Sequence, residues 1–335
     1  MVAHGRVHAR VRQCGGAGIR CGPRAIRAAS VQSAWERHYP WTFDPFDHLA
    51  VIDYGDCDFD HSQPQKTPAA IEAHAERILD AGCAMLTLGG DHFITYPLLK
   101  AHAKKHGPIS LVHFDAHSDT WPDADDSQQG ISHGTMFYHA AREGLIDPSR
   151  SVQIGLRTTN DDVMGFQVIE AREVHRNTPE IIAEMIRARV GDNPVYLTFD
   201  IDRLDPAFAP GTCTPVCGGL TTLQALEILR GLRGINLIGM DVVEVSPPYD
   251  HAEVTALAGA TLLWRWFAYM RRGIRLRGEV RKRLVSLKNQ HGLSCPERAD
   301  ENSVFEPRRL VLSSRKQICL AHDKVLEQGS LVQLV

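Results

Sequence analysis

The sequence predicts an α/β fold: a single three-layer α/β/α domain whose mostly parallel sheet carries helices on both faces. Three observations predict it. Short runs rich in Val, Ile and Leu recur along the chain, helical patterns lie between them, and clusters of polar residues follow directly on several of the runs. Parallel strands need crossovers of a dozen or more residues, usually helices, so this alternation reads as successive βαβ units.

The elements follow in order. Leu49 to Ile52 is the first apolar run. A helical stretch is expected around 68–81. Met85 to Leu88 is the second run, residues 97–106 the next helix, and Ile109 to Phe114 the third run. Val152-Gln153-Ile154 is a short run, and a helix over 179–189 leads to Val195 through Phe199. A helix over 222–231 precedes Leu237 to Met240, and Thr255 to Met270 supplies a final helix. From Arg271 the chain reads RRGIRLRGEVRKRLVSLK and the strand-helix rhythm is lost. Three regions are therefore expected: a divergent segment over 1–17, the domain over 18–270, and a basic extension over 271–335 that is solvated or poorly ordered.

Composition narrows the function classes. With 335 residues, 43% hydrophobic and 23% charged, the chain is neither collagen, coiled coil nor wholly disordered. No run approaches the roughly 18 to 20 apolar residues of a membrane helix, so a membrane role is not expected. A formal net charge of -3 gives no general case for a nucleic-acid partner. The opening MVAHGRVHARVRQ is Arg-rich and lacks an apolar core, which excludes a secretory signal; a cytoplasmic location is expected, with a mitochondrial transit segment as the alternative. Of the eight cysteines only Cys213 and Cys217 are close, with no second pair to complete a zinc site. A reduced compartment follows.

The polar clusters carry the chemistry. His92 follows the run ending at Leu88; Asp115, His117 and Asp119 follow Phe114; Asp200 and Asp202 follow Phe199. Alternate residues of an extended segment project to one side, so four carboxylates and two imidazoles can converge at strand ends. Carboxylates crowded like this stay ionised only beside cations, and Arg203 is the one basic residue in these segments. Two divalent metals would balance the charge. An oxygen-rich set with a minority of imidazoles suits Mn²⁺, with Zn²⁺ and Fe²⁺ as alternatives, and two-metal sites of this kind are hydrolytic.

These motifs, GGDH at 89–92, HFDAHSD at 113–119, SHGTMFY at 132–138, TFDIDRLDPAFAPGT at 198–212 and GMDVVEVSPPYD at 239–250, resemble the ureohydrolase family of arginases and agmatinases. Their wording is most similar to bacterial agmatinases, and the resemblance runs from about Gly18 to about Leu263. It implies an arginase-like fold with two Mn²⁺ per chain at the carboxyl ends of the strands. One would be held by His92, Asp115, Asp119 and Asp200, the other by Asp115, His117, Asp200 and Asp202. It also implies that Glu244 grips a small-molecule guanidino substrate, that His133 shuttles a proton, that Asp119 or His133 helps the amine leave, and that the chain forms a homo-oligomer, a trimer or hexamer. The reaction implied is agmatine to putrescine plus urea. The alternatives are a guanidino-acid hydrolase, acting on 4-guanidinobutanoate or 3-guanidinopropanoate, and a catalytically dead homologue kept as a binding or regulatory protein.

Some residues depart from the family pattern. Arg203 stands where a small or uncharged residue is usual, and could pair with Asp205 or oppose metal and cationic substrate. Cys213 replaces a glycine, which would strain the loop if that position needs positive φ. The acidic run Trp121-Pro122-Asp123-Ala124-Asp125-Asp126 would favour a substrate ammonium if it lines the mouth. The family's opening strand is replaced by the Arg-rich segment.

Overall fold

The computed structural model of the chain describes residues 18–34, 45, 49–60, 62–122, 131–273 and 331–334. The sheet they build has eight strands: β1 (Ala50–Asp53), β2 (Ala84–Leu88), β3 (Ser110–Phe114), β4 (Val152–Ile154), β5 (Gln167–Ile169), β6 (Val195–Asp200), β7 (Leu237–Val243) and β8 (Leu331–Leu334). Their order across the sheet is β1-β8-β2-β7-β6-β3-β4-β5, and every pairing is parallel. The helices are α1 (Gly22–Ser30), α2 (Thr67–Asp80), α3 (Thr95–His106), α4 (Met136–Arg142), α5 (Ala171–Arg176), α6 (Pro179–Val190), α7 (Thr222–Gly231) and α8 (Val254–Gly273).

Strand periodicity divides the core into two layers. Leu86, Leu88, Val112, Phe114, Leu197, Phe199, Met240 and Val242 pack on one face with Ile26 of α1, Ile182 and Ile186 of α6, Ile228 of α7 and Leu262 of α8. Met85, Leu111 and Tyr196 face the other way, onto Ile78 of α2, Leu99 of α3 and Phe137 of α4. Neighbours in sequence thus serve opposite layers, which is why the central runs are apolar throughout rather than alternating. Each fully buried aliphatic side chain contributes about 1.5–3 kcal/mol.

Topology places the site. The chain leaves β2, crosses to β3, runs outward through β4 and β5, then returns to fill the gap with β6 and β7. Loops at the carboxyl ends diverge at such a reversal and leave a crevice. The four strands that border it, β2, β7, β6 and β3, are adjacent in the sheet.

Several elements differ from the sequence reading. β5 has three residues and α4 and α5 only seven and six, too short for a clear period. The extension drawn over 271–335 does not lie wholly outside the fold: α8 reaches Gly273, and Leu331–Leu334 occupies an interior position one strand in from the edge, pairing with β1 on one side and β2 on the other. The opening segment 1–17, Asp123, Asp125 and Asp126 of the acidic run, the basic stretch beyond Gly273, and Cys14, Cys295 and Cys319 lie outside the described residues. Among the described residues, no helix is long and apolar enough to cross a membrane.

Candidate metal centre

Each cluster sits where its strand ends. β2 runs out at Leu88, and Gly89 lets the chain turn between packed neighbours: a Cβ there would lie 2.5 Å from Ile94 Cδ1 and 2.7 Å from Val243 Cγ1. His92 then opens a 3₁₀ turn whose N-cap is Asp91, its carboxylate accepting from the Phe93 N–H at 2.9 Å. Beyond β3, the Asp115 N–H still donates to Ile154 O of the neighbouring strand at 3.1 Å, so Asp115 is held in register by the sheet. Asp200 is the last residue of β6 and caps the next 3₁₀ turn by accepting from the Asp202 N–H at 2.8 Å. Glu244 follows β7 directly.

The structure brings the six carboxylate and imidazole groups together. His92 Nδ1 lies 3.2 Å from Asp115 Oδ2, 3.0 Å from Asp119 Oδ2 and 3.3 Å from Asp200 Oδ2. His117 Nδ1 lies 3.3 Å from Asp115 Oδ1 and 3.0 Å from Asp202 Oδ2. Two adjoining sets share Asp115, whose two oxygens face opposite ways. Asp115, Asp119, Asp200 and Asp202 are buried.

The titration shifts express a demand for positive charge. Burial, reinforced by Asp202 and Asp115, pushes the Asp200 carboxyl well up; burial and Asp115 raise Asp202. Burial also opposes ionisation of Asp115, yet His113, His117 and His92 hold it well below the usual carboxylate range. Burial would lower both imidazoles, but the carboxylates around them overcome it, raising His92 well above its ordinary value and His117 to about 12. Protons on these rings stand where cations would otherwise balance the acids.

A metal fits this donor set on one further observation. His92 Nδ1 is buried and makes no hydrogen bond among the described residues, although three carboxylate oxygens surround it. Its other nitrogen, Nε2, lies 2.8 Å from Thr198 Oγ1, and the Thr198 hydroxyl is bonded in turn to Asp241. Once a cation takes the place of the second ring proton, that relay keeps the remaining proton on Nε2 and leaves the Nδ1 lone pair facing the carboxylates, the tautomer a metal ligand needs.

A second group lies beside the first. The oxygens of Asp91 and Glu244 and a ring nitrogen of His133 cluster closely, with His133 Nδ1 3.5 Å from Asp91 Oδ2. Glu244 Oε1 accepts from the His92 N–H at 2.7 Å, tying this carboxylate to the metal-facing loop. Burial, then the charge of Asp91, pushes Glu244 up to about 8. Burial works against protonation of His133, but Asp91 prevails and raises it to about 9. Asp119 and Glu244 both adopt left-handed backbone, with φ of 53° and 63°. For non-glycine residues that costs about 1–2 kcal/mol each, and such strain gathers at functional sites.

Several functional neighbours were missed in the sequence. His113 Nε2 lies 2.8 Å from Asp115 Oδ2, while the Gln153 amide donates to its Nδ1 at 3.1 Å. That arrangement makes Nε2 the donor and His113 an orienting group for Asp115. Its signal was available, since 113, 115, 117 and 119 share one alternation. Asp91, Thr198 and Asp241 had none beyond lying inside recognised motifs.

Three expectations are corrected. Arg203 does not pair with Asp205, whose carboxylate instead accepts backbone N–H groups of Ala207, Gly218 and Gly219. Nor does it face the mouth of the site, being completely buried, so it does not favour an acidic substrate. Cys213 is not among the left-handed non-glycine residues, so its loop is not strained there. It is not disulfide-linked to Cys217.

Comparison with known proteins places these features in context. The model of the arginase family matches residues 9–268. An agmatinase of Chromobacterium violaceum is 58% identical over 255 residues, which are 76% of this chain and 79% of that protein. Among solved structures, a hypothetical agmatinase from Burkholderia thailandensis superposes with a TM-score of 0.74 at 58% identity, over 76% of this chain and 81% of that one. Proclavaminate amidino hydrolase from Streptomyces clavuligerus gives 0.71 at 36% identity, over 77% and 87%.

Proposed function

The chain belongs to the arginase family, and on that premise we propose that it is a binuclear manganese amidinohydrolase that converts agmatine and water to putrescine and urea. The observation that carries the reading is His92 Nδ1, without a hydrogen bond among the described residues and within 3.0–3.3 Å of carboxylates from two further strand ends. Agmatinase relatives at 58% identity support the choice of substrate.

His92, Asp115, Asp119 and Asp200 would hold one Mn²⁺, and Asp115, His117, Asp200 and Asp202 the other. When bound, the pair supplies Lewis-acid polarisation and activates water at neutral pH. The remaining work falls to the chain. Glu244 receives the planar guanidinium through charge-assisted hydrogen bonds, and the arriving cation restores the ionised form that burial disfavours. Its backbone is fixed by the N–H bond to Gly90 O at 2.9 Å, so the substrate carbon is oriented from a rigid point. His133, protonated at neutral pH and held through Nδ1 by Asp91, offers Nε2–H to the departing amine nitrogen. The bond broken joins the guanidino carbon to the alkyl-bearing nitrogen; that carbon gains the water oxygen and leaves as urea.

The test is urea release by Mn²⁺-loaded protein given agmatine and 4-guanidinobutanoate in parallel, with metal content measured on the same sample. Two metals per chain with agmatine turnover is expected. Preference for the acid would move the reading to a guanidino-acid hydrolase, and a folded chain that binds no metal would end it. Glu244→Gln should lower kcat/KM by about 100-fold or more, the loss expected for one partner of a buried charge pair.

A further inference from the structure

A left-handed residue that is not glycine persists only where its surroundings fix it. Asp119 holds a φ of 53° while its carboxylate lies 3.0 Å from His92 Nδ1. Three other buried carboxylates, Asp115, Asp200 and Asp202, belong to the same centre, so like charge drives Asp119 outward whenever no cation is bound. Something must hold it in. The support comes from one stretch of chain, the end of β4 and the loop that follows, which runs alongside residues 115–120. The Ile154 O accepts from the Asp115 N–H at 3.1 Å, and the Arg157 N–H and Thr158 hydroxyl donate to Ala116 O at 3.0 and 3.1 Å. The Gln153 amide donates to Ser118 O at 2.6 Å.

Asn160 completes this backing. Its Nδ2 donates to Ser118 Oγ and to Thr120 Oγ1, both at 2.8 Å. Those hydroxyls belong to buried residues on either side of Asp119, so one amide nitrogen spans the strained position. An amide NH₂ carries two hydrogens and can serve both oxygens at once. The Asn160 carbonyl oxygen accepts from the Asp162 N–H at 3.3 Å, which turns the NH₂ toward the loop. From α4, the Phe137 N–H donates to Asp119 O at 3.1 Å. If φ at Asp119 relaxed to the right-handed region, residues 118 and 120 would rotate relative to each other and one of the two hydroxyls would leave Asn160.

We propose that Asn160 is a positioning residue for the hydrolytic centre: by bracketing Asp119 through Ser118 and Thr120 it keeps that residue left-handed and its carboxylate against His92, so that cation affinity there depends on a side chain that is not itself a ligand. The inference rests on the metal-dependent function proposed above. It assigns the loop after β4, which supplies none of the six metal-facing groups, the task of shaping the loop that supplies three of them.

The experiment compares the full-length wild type, Asn160→Ala, Asp119→Gly and the double variant by Mn²⁺ equilibrium dialysis, with amide hydrogen exchange on the metal-free chains. Asn160→Ala should weaken Mn²⁺ by about tenfold or more and speed exchange of the Phe137 N–H, the group that reads the Asp119 carbonyl. Glycine takes positive φ freely and carries no carboxylate. In the Asp119→Gly background, therefore, Asn160→Ala should change Mn²⁺ affinity by less than about twofold, because both substitutions act through one residue. A merely structural Asn160 would lower the urea midpoint and leave the isotherm of the folded chain unchanged; that result overturns the proposal, as do losses that multiply in the double variant. Should Asn160→Ala fail to fold, Ser118→Ala combined with Thr120→Val removes the same two contacts and takes its place. A folded wild type that binds no Mn²⁺ would end the metal-dependent reading instead, and unchanged Phe137 exchange in Asn160→Ala would then overturn the bracket on its own.

Discussion

At the scale of residues, the metal-facing groups were legible because strand geometry puts alternate positions on one side, and Asp115, His117 and Asp119 obey it. What a sequence does not show is the support behind them. Thr198 reaches His92 at 2.8 Å from β6, which β7 separates from β2 in the sheet, and nothing in its neighbourhood announces that contact. Thr198→Val removes the relay from Asp241 without changing side-chain size. Metal affinity should fall about 10- to 100-fold, read by Mn²⁺ titration, and the chain should lose about 1–3 kcal/mol because buried polar groups lose their partner. Asp119 tests the strained backbone. Asparagine tolerates left-handed φ, so Asp119→Asn should change the unfolding free energy of the metal-free chain by less than about 1 kcal/mol while weakening Mn²⁺ at least about tenfold. Urea denaturation with and without chelator separates the two effects.

Among the elements, the four strands around the site could be read in advance because each is a β-rich run ending in a distinctive cluster. β8 could not. Leu331-Val332-Gln333-Leu334 is too short to stand out, and its strand character comes from the slot it fills rather than from its own pattern. Its register sets Gln333 opposite both Ile52 and Met85, so its backbone is flanked on both sides. Proline is tolerated at sheet edges but not there; Gln333→Pro should lower stability by about 1–3 kcal/mol in urea denaturation. A smaller and more local loss is expected at α7. Thr221 and Gln224 form a reciprocal capping box, with Thr221 Oγ1 accepting from the Gln224 N–H at 3.1 Å. Thr221→Ala should cost about 1 kcal/mol in the same measurement.

For the whole molecule, pH and assembly matter most. His102 on α3 is fully buried, donates through Nδ1 to Leu98 O at 2.8 Å, and packs against Gly239 and Tyr196, its Nε2 having no hydrogen-bond partner among the described residues. Burial drives its pKa down to about 4, and His106 and Lys105 also disfavour the charged form. The unfolded chain takes up this proton first as pH falls. The stabilisation from neutral His102 is therefore complete above the unfolded value of about 6.5 and lost progressively down to about 4, in total about 3 kcal/mol. His102→Gln should show a smaller drop in unfolding free energy between pH 7 and pH 5 than the wild type. The place of β8 between β1 and β2 bears on the order of assembly. Among the described strands, β1 meets the sheet only through β8, whereas β2, β7, β6 and β3 contact one another directly. The catalytic half needs none of the late partner, and pairing strands so far apart in sequence is entropically slow. The metal pocket therefore forms while β2 still offers an open edge, a template for another molecule of the same chain. Refolding yield should fall with protein concentration even when every surviving monomer binds metal normally.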